Sequence, residues 1–127
     1  MGYYERDRAL AEANAVVFHD RFAARQFGAI YDDFDPAMQQ AAPRVEALRA
    51  MAWQAQHWGE RVSSVVRTTS CKPSQVQLVY ETTFSKGKAT EWFVWRVSSQ
   101  KARLLRYQLF PGVVDPLQGE GNNCATG

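Results

Sequence analysis

The sequence predicts an α+β domain in which N-terminal helices pack on one face of a curved, four-stranded antiparallel sheet. Two patterns carry that prediction. Before Gly59, apolar residues recur at three- and four-residue steps in alanine-rich segments, the period of a helix with one buried face. After it the period changes to alternation, with turn signals at Ser85-Lys86-Gly87-Lys88 and around Ser99 to Ala102, as in a β-meander.

Each element has its own warrant. The first helix runs from Glu5 to Gln26 on a stripe of Leu10, Ala13, Val17 and the Phe18/Phe22 pair, with no Gly or Pro before Gly28. A short segment, Ala29 to Phe34, follows. Asp35-Pro36 has the form of an N-cap with proline at the first helical position, opening a brief helix over Ala37 to Ala42. Pro43 repeats the device for a longer helix whose stripe is Val45, Leu48, Met51/Ala52, Ala55 and Trp58, and Gly59 is placed to end it. Strand one spans Arg61 to Thr69, with Val62, Val65 and Val66. Val76 to Phe84 alternates, Ala89 to Val97 is apolar on both faces, and Arg103 to Phe110 closes the meander. One domain over residues 3–117 is expected, with a Gly- and Asn-rich tail over 118–127 that is flexible unless Cys124 ties it down.

A register follows if Lys86-Gly87 are the two loop residues. Val76 then pairs with Val97, Leu78 with Trp95, Tyr80 with Phe93, and Glu91 lies opposite Thr82. These side chains gather on one face, which the helices must cover. Leu105, Tyr107 and Leu109 continue that face if the last turn has an odd number of residues or a bulge lies near Gln100.

The reverse face carries Val79, Trp92 and Val94, flanked by Gln77, Glu81, Arg96, Leu104 and Arg106. A solvated face should read polar, so Trp92 and Val94 argue for a cover. In this register Arg96 and Arg106 lie side by side, and like charges directly opposite are destabilising. One reading is a homodimer or protein-partner interface with a place for carboxylates. The other is scattered surface hydrophobes with Glu81 neutralising an arginine.

Composition narrows the partners. At 127 residues with 46% hydrophobic content, the chain has room for one real core. No apolar run approaches the ~18 residues of a membrane span. Met1 to Arg6 does not read as a signal peptide, because no apolar stretch follows the charges, and Arg6 stands where a myristoylation signal needs Ser or Thr. Net charge is +2, with six basic and eight acidic groups in residues 1–59 against nine and five in 60–127. That asymmetry is too weak and dispersed for a nucleic-acid stripe.

Cys71 and Cys124 allow one pairing. The segment of about 14 residues after Phe110, at ~3.3 Å each, is long enough to return along the sheet. A bridge is feasible and would place the protein in an oxidising compartment; two unrelated thiols are the alternative.

Several sequence features together resemble a known superfamily. They are Phe18 to Gly28 (FHDRFAARQFG), Ile30-Tyr31-Asp32 leading to Asp35-Pro36, and Tyr80 to Phe84 with Gly87 and Ala89-Thr90-Glu91. Trp95-Arg96 and Leu105 with Tyr107 complete the set. With three helical segments before a long curved sheet, the chain resembles the cystatin-like, nuclear transport factor 2-like superfamily over about residues 10–110. Within it, the chain is similar to small bacterial envelope proteins, often lipoproteins, of unknown function. The resemblance implies a cone-shaped fold, and a periplasmic or envelope location if an export signal has been removed, cytoplasmic otherwise. It brings no activity.

Enzymes of that superfamily place an acid or base inside the cone. Here Glu91, with Tyr107 and Tyr80 as oxyanion donors, would be the candidate set for isomerase- or dehydratase-like chemistry. The expected alternative has Glu91 at the open rim, solvated or paired with an arginine. Asp32, Asp33 and Asp35 read as capping and solvated groups, not a calcium loop, since Phe34 and Pro36 replace the required turn glycine. His19 and His57 have no ligand partner in sequence, so no metal is expected. No cofactor motif is present.

These readings favour a non-catalytic binding or protein-interaction module of the bacterial envelope that uses Trp92, Val94, Val79, Arg96 and Arg106, with a small ligand in the cone also possible. The alternatives are the Glu91/Tyr107 enzyme, and an inhibitor or immunity protein that offers Trp92, Arg96 and Arg106 to a secreted enzyme.

Overall fold

The computed structural model describes residues 4–122 and 124. Position 3, the expected start of the domain, and tail positions 123 and 125–127 lie outside the described residues. Four helices precede four strands: α1 (Glu5–Ala23), α2 (Phe27–Asp32), α3 (Pro36–Ala41), α4 (Arg44–Trp58), β1 (Arg61–Lys72), β2 (Gln75–Phe84), β3 (Gly87–Ser98) and β4 (Lys101–Pro111). The strands form one antiparallel sheet in the order β1-β2-β3-β4. The fold is α+β.

Two helix boundaries follow the expected punctuation. The Asp35 carboxylate accepts the Ala37 N–H at 2.9 Å with Pro36 in the first turn, and Gly59 ends α4 at φ +79°. Others differ: α1 ends at Ala23 rather than Gln26, the short segment after it is itself helical as α2, and Pro43 is the N-cap of α4 rather than its first residue. The buried stripe of α1 is rotated from the expected one: Ala11, Ala15, Phe18 and His19 are buried, while Ala13 and Val17 are exposed. Alanines bring the helix axis close to the sheet, and the bulkier Val17 is turned outward. In α4, Met51 and Ala55 are buried and Val45 is exposed.

The β2–β3 register differs from expectation by two residues. Val76 faces Trp95, Leu78 faces Phe93, Tyr80 faces Glu91 and Phe84 faces Gly87, so Ser85-Lys86 is the loop. The link between α4 and β1 clamps this turn: Ser85 N–H donates to Glu60 O and Lys86 N–H to Trp58 O. The Trp58 ring also packs over Gly87, where a Cβ would come within 3.3 Å of it. A two-residue slip keeps every side chain on its face, so the face assignments hold although the partners change.

The last hairpin turns on Ser99-Gln100, both at positive φ, and the irregularity lies between Val94 and Trp95, which pair with Arg106 and Leu104. Ala102 and Leu104 therefore take the core face with Tyr107 and Leu109, and Leu105 is the extra residue. Leu104 is held there from the helical side. Phe34 bridges to it in parallel, and Asp35 N–H donates to its carbonyl at 2.9 Å.

Phe93 is the hub of the core. Its ring meets Phe18 edge-on at 5.2 Å, Tyr107 at 5.0 Å and Trp95 in a stack at 5.8 Å. Such aromatic pairs add about 0.5–1.5 kcal/mol each beyond area burial.

After β4 the chain crosses the reverse face. The Thr90 hydroxyl donates to Gly112 O and accepts Val114 N–H, and Gly121 lies against the Thr68 methyl. At the β1 edge, Asn122 accepts the Cys71 N–H and donates to the Cys71 carbonyl, and Cys124 is disulfide-bonded to Cys71.

Candidate functional site

Glu91 lies in mid-strand on β3, facing the helices with 1% exposure. This corrects the expectation of an open-rim carboxylate. One oxygen, Oε1, accepts the Thr82 hydroxyl at 2.5 Å from β2 and meets His19 Nε2 at 2.9 Å from α1. The other, Oε2, accepts the Tyr107 hydroxyl at 2.5 Å from β4, and that phenol oxygen accepts the Gln54 side-chain N–H at 3.0 Å from α4. An ionised carboxylate only accepts, so His19 carries its proton on Nε2. Thus α1, β2 and β4 converge directly on a carboxylate of β3, and α4 reaches it through Tyr107.

Electrostatics fix its charge state. Burial pushes the Glu91 carboxyl up, but the His19 bond and charge, with the Thr82 and Tyr107 hydroxyls, outweigh it and hold the group below its usual range. Burial, and then the Glu91 charge, push the Tyr107 hydroxyl well above its ordinary value. Tyr80 is raised chiefly by burial.

In front of Tyr107 a cleft of about 500 Å³ opens between α3, α4 and β4. Its walls are Phe18, Phe34, Met38, Met51, Trp58, Leu109 and several alanines, with Gln54, His57, Gln108 and Tyr107 as polar groups and, among the described residues, no carboxylate, lysine or arginine. Trp53, 60% exposed, stacks on His57 at 4.6 Å on its rim. Glu91 does not line it: Tyr107 stands between.

The structure brings Glu91 and Tyr107 together as the sequence suggested and keeps the second residue set on the reverse face. There Val79 is 1% and Val94 8% exposed within the chain itself. Trp92 is half-covered; its indole N–H donates to Gln77, and the Arg106 guanidinium lies 4.6 Å over its ring. Trp92 pairs with Val79 rather than Glu81, and Arg96 stands opposite Arg103 rather than Arg106. Asp35 is buried, binding Arg96 Nε at 2.8 Å, while Asp32 pairs with Arg44 and Asp33 with Arg21. Among the described residues no group of three or more His, Cys, Asp or Glu side chains could hold a metal ion, and no helix is long and apolar enough to cross a membrane.

Two participants, His19 and Gln54, were not legible as such. For His19 a signal existed: it shares one helical face with Ala11, Ala15 and Phe18, so a stripe of small residues was the buried one. Nothing in the local sequence marks Gln54. The chain matches no protein-family model and no curated protein.

Proposed function

We propose that this protein is a non-catalytic binding module of the bacterial envelope, built on the cone-like fold of the nuclear transport factor 2-like superfamily. It holds a small, neutral, largely apolar ligand in the cleft between α4 and β4. The observation that carries this reading is the cleft itself. Its volume lies within the usual range for small-molecule sites, and its polar groups are few, with no carboxylate, lysine or arginine among the described residues.

The polar network behind the cleft supports binding over chemistry. A general base works best with a pKa near the operating pH, whereas Glu91 is held low and its two oxygens already take three donors. Tyr107 has its only hydrogen committed to Glu91, so it has none to offer an oxyanion. The network instead fixes the Tyr107 ring as a rigid wall. The sheet-face interface has less support, because Val79 and Val94 are covered from within the chain. The Cys71–Cys124 bridge supports an oxidising compartment.

A neutral naphthyl dye, N-phenyl-1-naphthylamine, tests the reading. Saturable fluorescence enhancement is expected, weakened about tenfold, the equivalent of 1.4 kcal/mol, by Ala50→Trp, which fills the cleft from the exposed side of α4. Absence of saturable enhancement, or equal enhancement in a variant with unchanged circular dichroism, overturns it.

A further inference from the structure

At the other end of β4 from the cleft, the β3–β4 turn carries a charge arrangement that the binding reading does not use. Arg96 and Arg103 are direct cross-strand partners, and Ser98 pairs with Lys101 one step further toward the turn. Like charges placed directly opposite repel. A depression of about 220 Å³ lies over them, lined by Arg96, Lys101, Arg103, Ser98, Ser99 and Asp35. Three cations face one carboxylate, leaving two positive charges.

The one carboxylate is already committed. Asp35 is buried, with one oxygen on the Ala37 N–H and the other on Arg96 Nε. Arg96 directs its Nε to this buried anchor, and its two Nη groups make no hydrogen bond among the described residues. Such a fork suits two oxygens of one oxyanion. Lys101 makes no hydrogen bond or ion pair among the described residues. Asp33 reaches Arg103 only at 4.0 Å through Oδ1, and its Oδ2 is taken by Arg21 at 2.5 Å, so it brings no net negative charge to the turn. The Ser98 and Ser99 side chains line the same depression and supply neutral donors.

We infer that the β3–β4 turn is a binding site for a phosphate-type dianion, held by the Arg96 fork with Lys101 and Arg103. Two net positive charges match a dianion, and the ligand offsets the Arg96–Arg103 repulsion beyond what Asp35 and Asp33 already neutralise. The site is independent of the apolar cleft, which contains no charged side chain of this kind. The anion is either free phosphate or a phosphomonoester lipid headgroup.

Inorganic phosphate, titrated at constant ionic strength against chloride, is followed through the backbone amide signals of Ser98 to Lys101. Saturable shifts are expected in the wild type. Each variant removes a charge-assisted hydrogen bond, so Lys101→Ala should weaken binding about tenfold, and Arg103→Gln similarly. Neither residue is buried by the fold as Asp35 is, so both variants remain folded by circular dichroism. Sedimentation with phosphatidylcholine vesicles, with and without phosphatidic acid, identifies the source. Capture by the phosphatidic acid vesicles that free phosphate displaces assigns a lipid headgroup, and shifts with no capture assign a soluble anion. No saturable shift, shifts unchanged in both variants, or vesicle capture that phosphate does not displace overturns the site.

Discussion

Replacing Glu91 by glutamine keeps the shape of the side chain and removes its charge. The carboxylate takes three donors, from Thr82, His19 and Tyr107, at 1% exposure. The amide oxygen can keep Thr82 and His19. The amide nitrogen then stands where Oε2 stood and faces the Tyr107 hydroxyl, whose oxygen already takes the Gln54 N–H. One buried donor is left without an acceptor, at about 1–3 kcal/mol, and the two surviving bonds lose their charge assistance. The expected loss is about 3 kcal/mol, a large share of the 5–15 kcal/mol typical of a domain.

Urea denaturation at pH 7 measures it. The pH dependence adds a second constraint. The folded pKa of Glu91 is depressed, so its contribution is present above the unfolded value of about 4.3 and is lost as pH falls through the folded value. Wild type should therefore lose stability in that acid range more steeply than Glu91→Gln. A loss under about 1 kcal/mol with unchanged m-value, or identical acid limbs, would refute the network as the organiser of this face of the core.

Three further outcomes follow from other parts of the fold. Reducing Cys71–Cys124, which closes a sequence separation of 53 residues, should cost up to about 4 kcal/mol by loop entropy, read as a lowered melting temperature with reductant; an unchanged melt contradicts the tail contacts. Asp35→Ala removes the α3 cap and should cost about 1 kcal/mol, the half-exposed Arg96 partner adding little. Burial pushes the Asp35 carboxyl up, but the Ala37 N–H and Arg96 hold it below its ordinary value. The gap between Asp35→Ala and wild type should therefore close below about pH 4, and a pH-independent gap argues against that pairing. Burial and the Glu91 charge raise Tyr107, so the folded state should weaken as pH climbs past about 10, where the unfolded phenol ionises. Tyr107→Phe should flatten that limb, and an alkaline limb as steep as that of wild type rejects the assignment.

The elements were legible where chemistry is local. Asp35-Pro36 caps α3 because a short carboxylate and a missing N–H suit that position in any context, and alternation along Val76 to Phe84 fixes faces regardless of partners. Register was not local. Lys86-Gly87 is a good loop dipeptide, but the bonds from Ser85 and Lys86 to Glu60 and Trp58, with the Trp58 ring over Gly87, pull the turn back by one residue. The β4 irregularity was likewise set from outside, by Phe34 and Asp35 on Leu104. For the site, Glu91 and Tyr107 could be paired because a period of two puts them on one face. His19 and Gln54 could not be joined to them, because helix rotation over the sheet depends on how closely Ala11 and Ala15 let α1 approach.

The most direct test of the binding account uses the methionine methyl groups of the cleft. Met38 and Met51 both line it, from α3 and α4. Protein carrying labelled methionine methyls, saturated with N-phenyl-1-naphthylamine, should give nuclear Overhauser contacts from the dye ring to both methyls. The Trp92 indole on the opposite face should give none. Contacts to Trp92 in place of Met38 and Met51, or no contact to either methyl from a dye that binds saturably, would contradict the account.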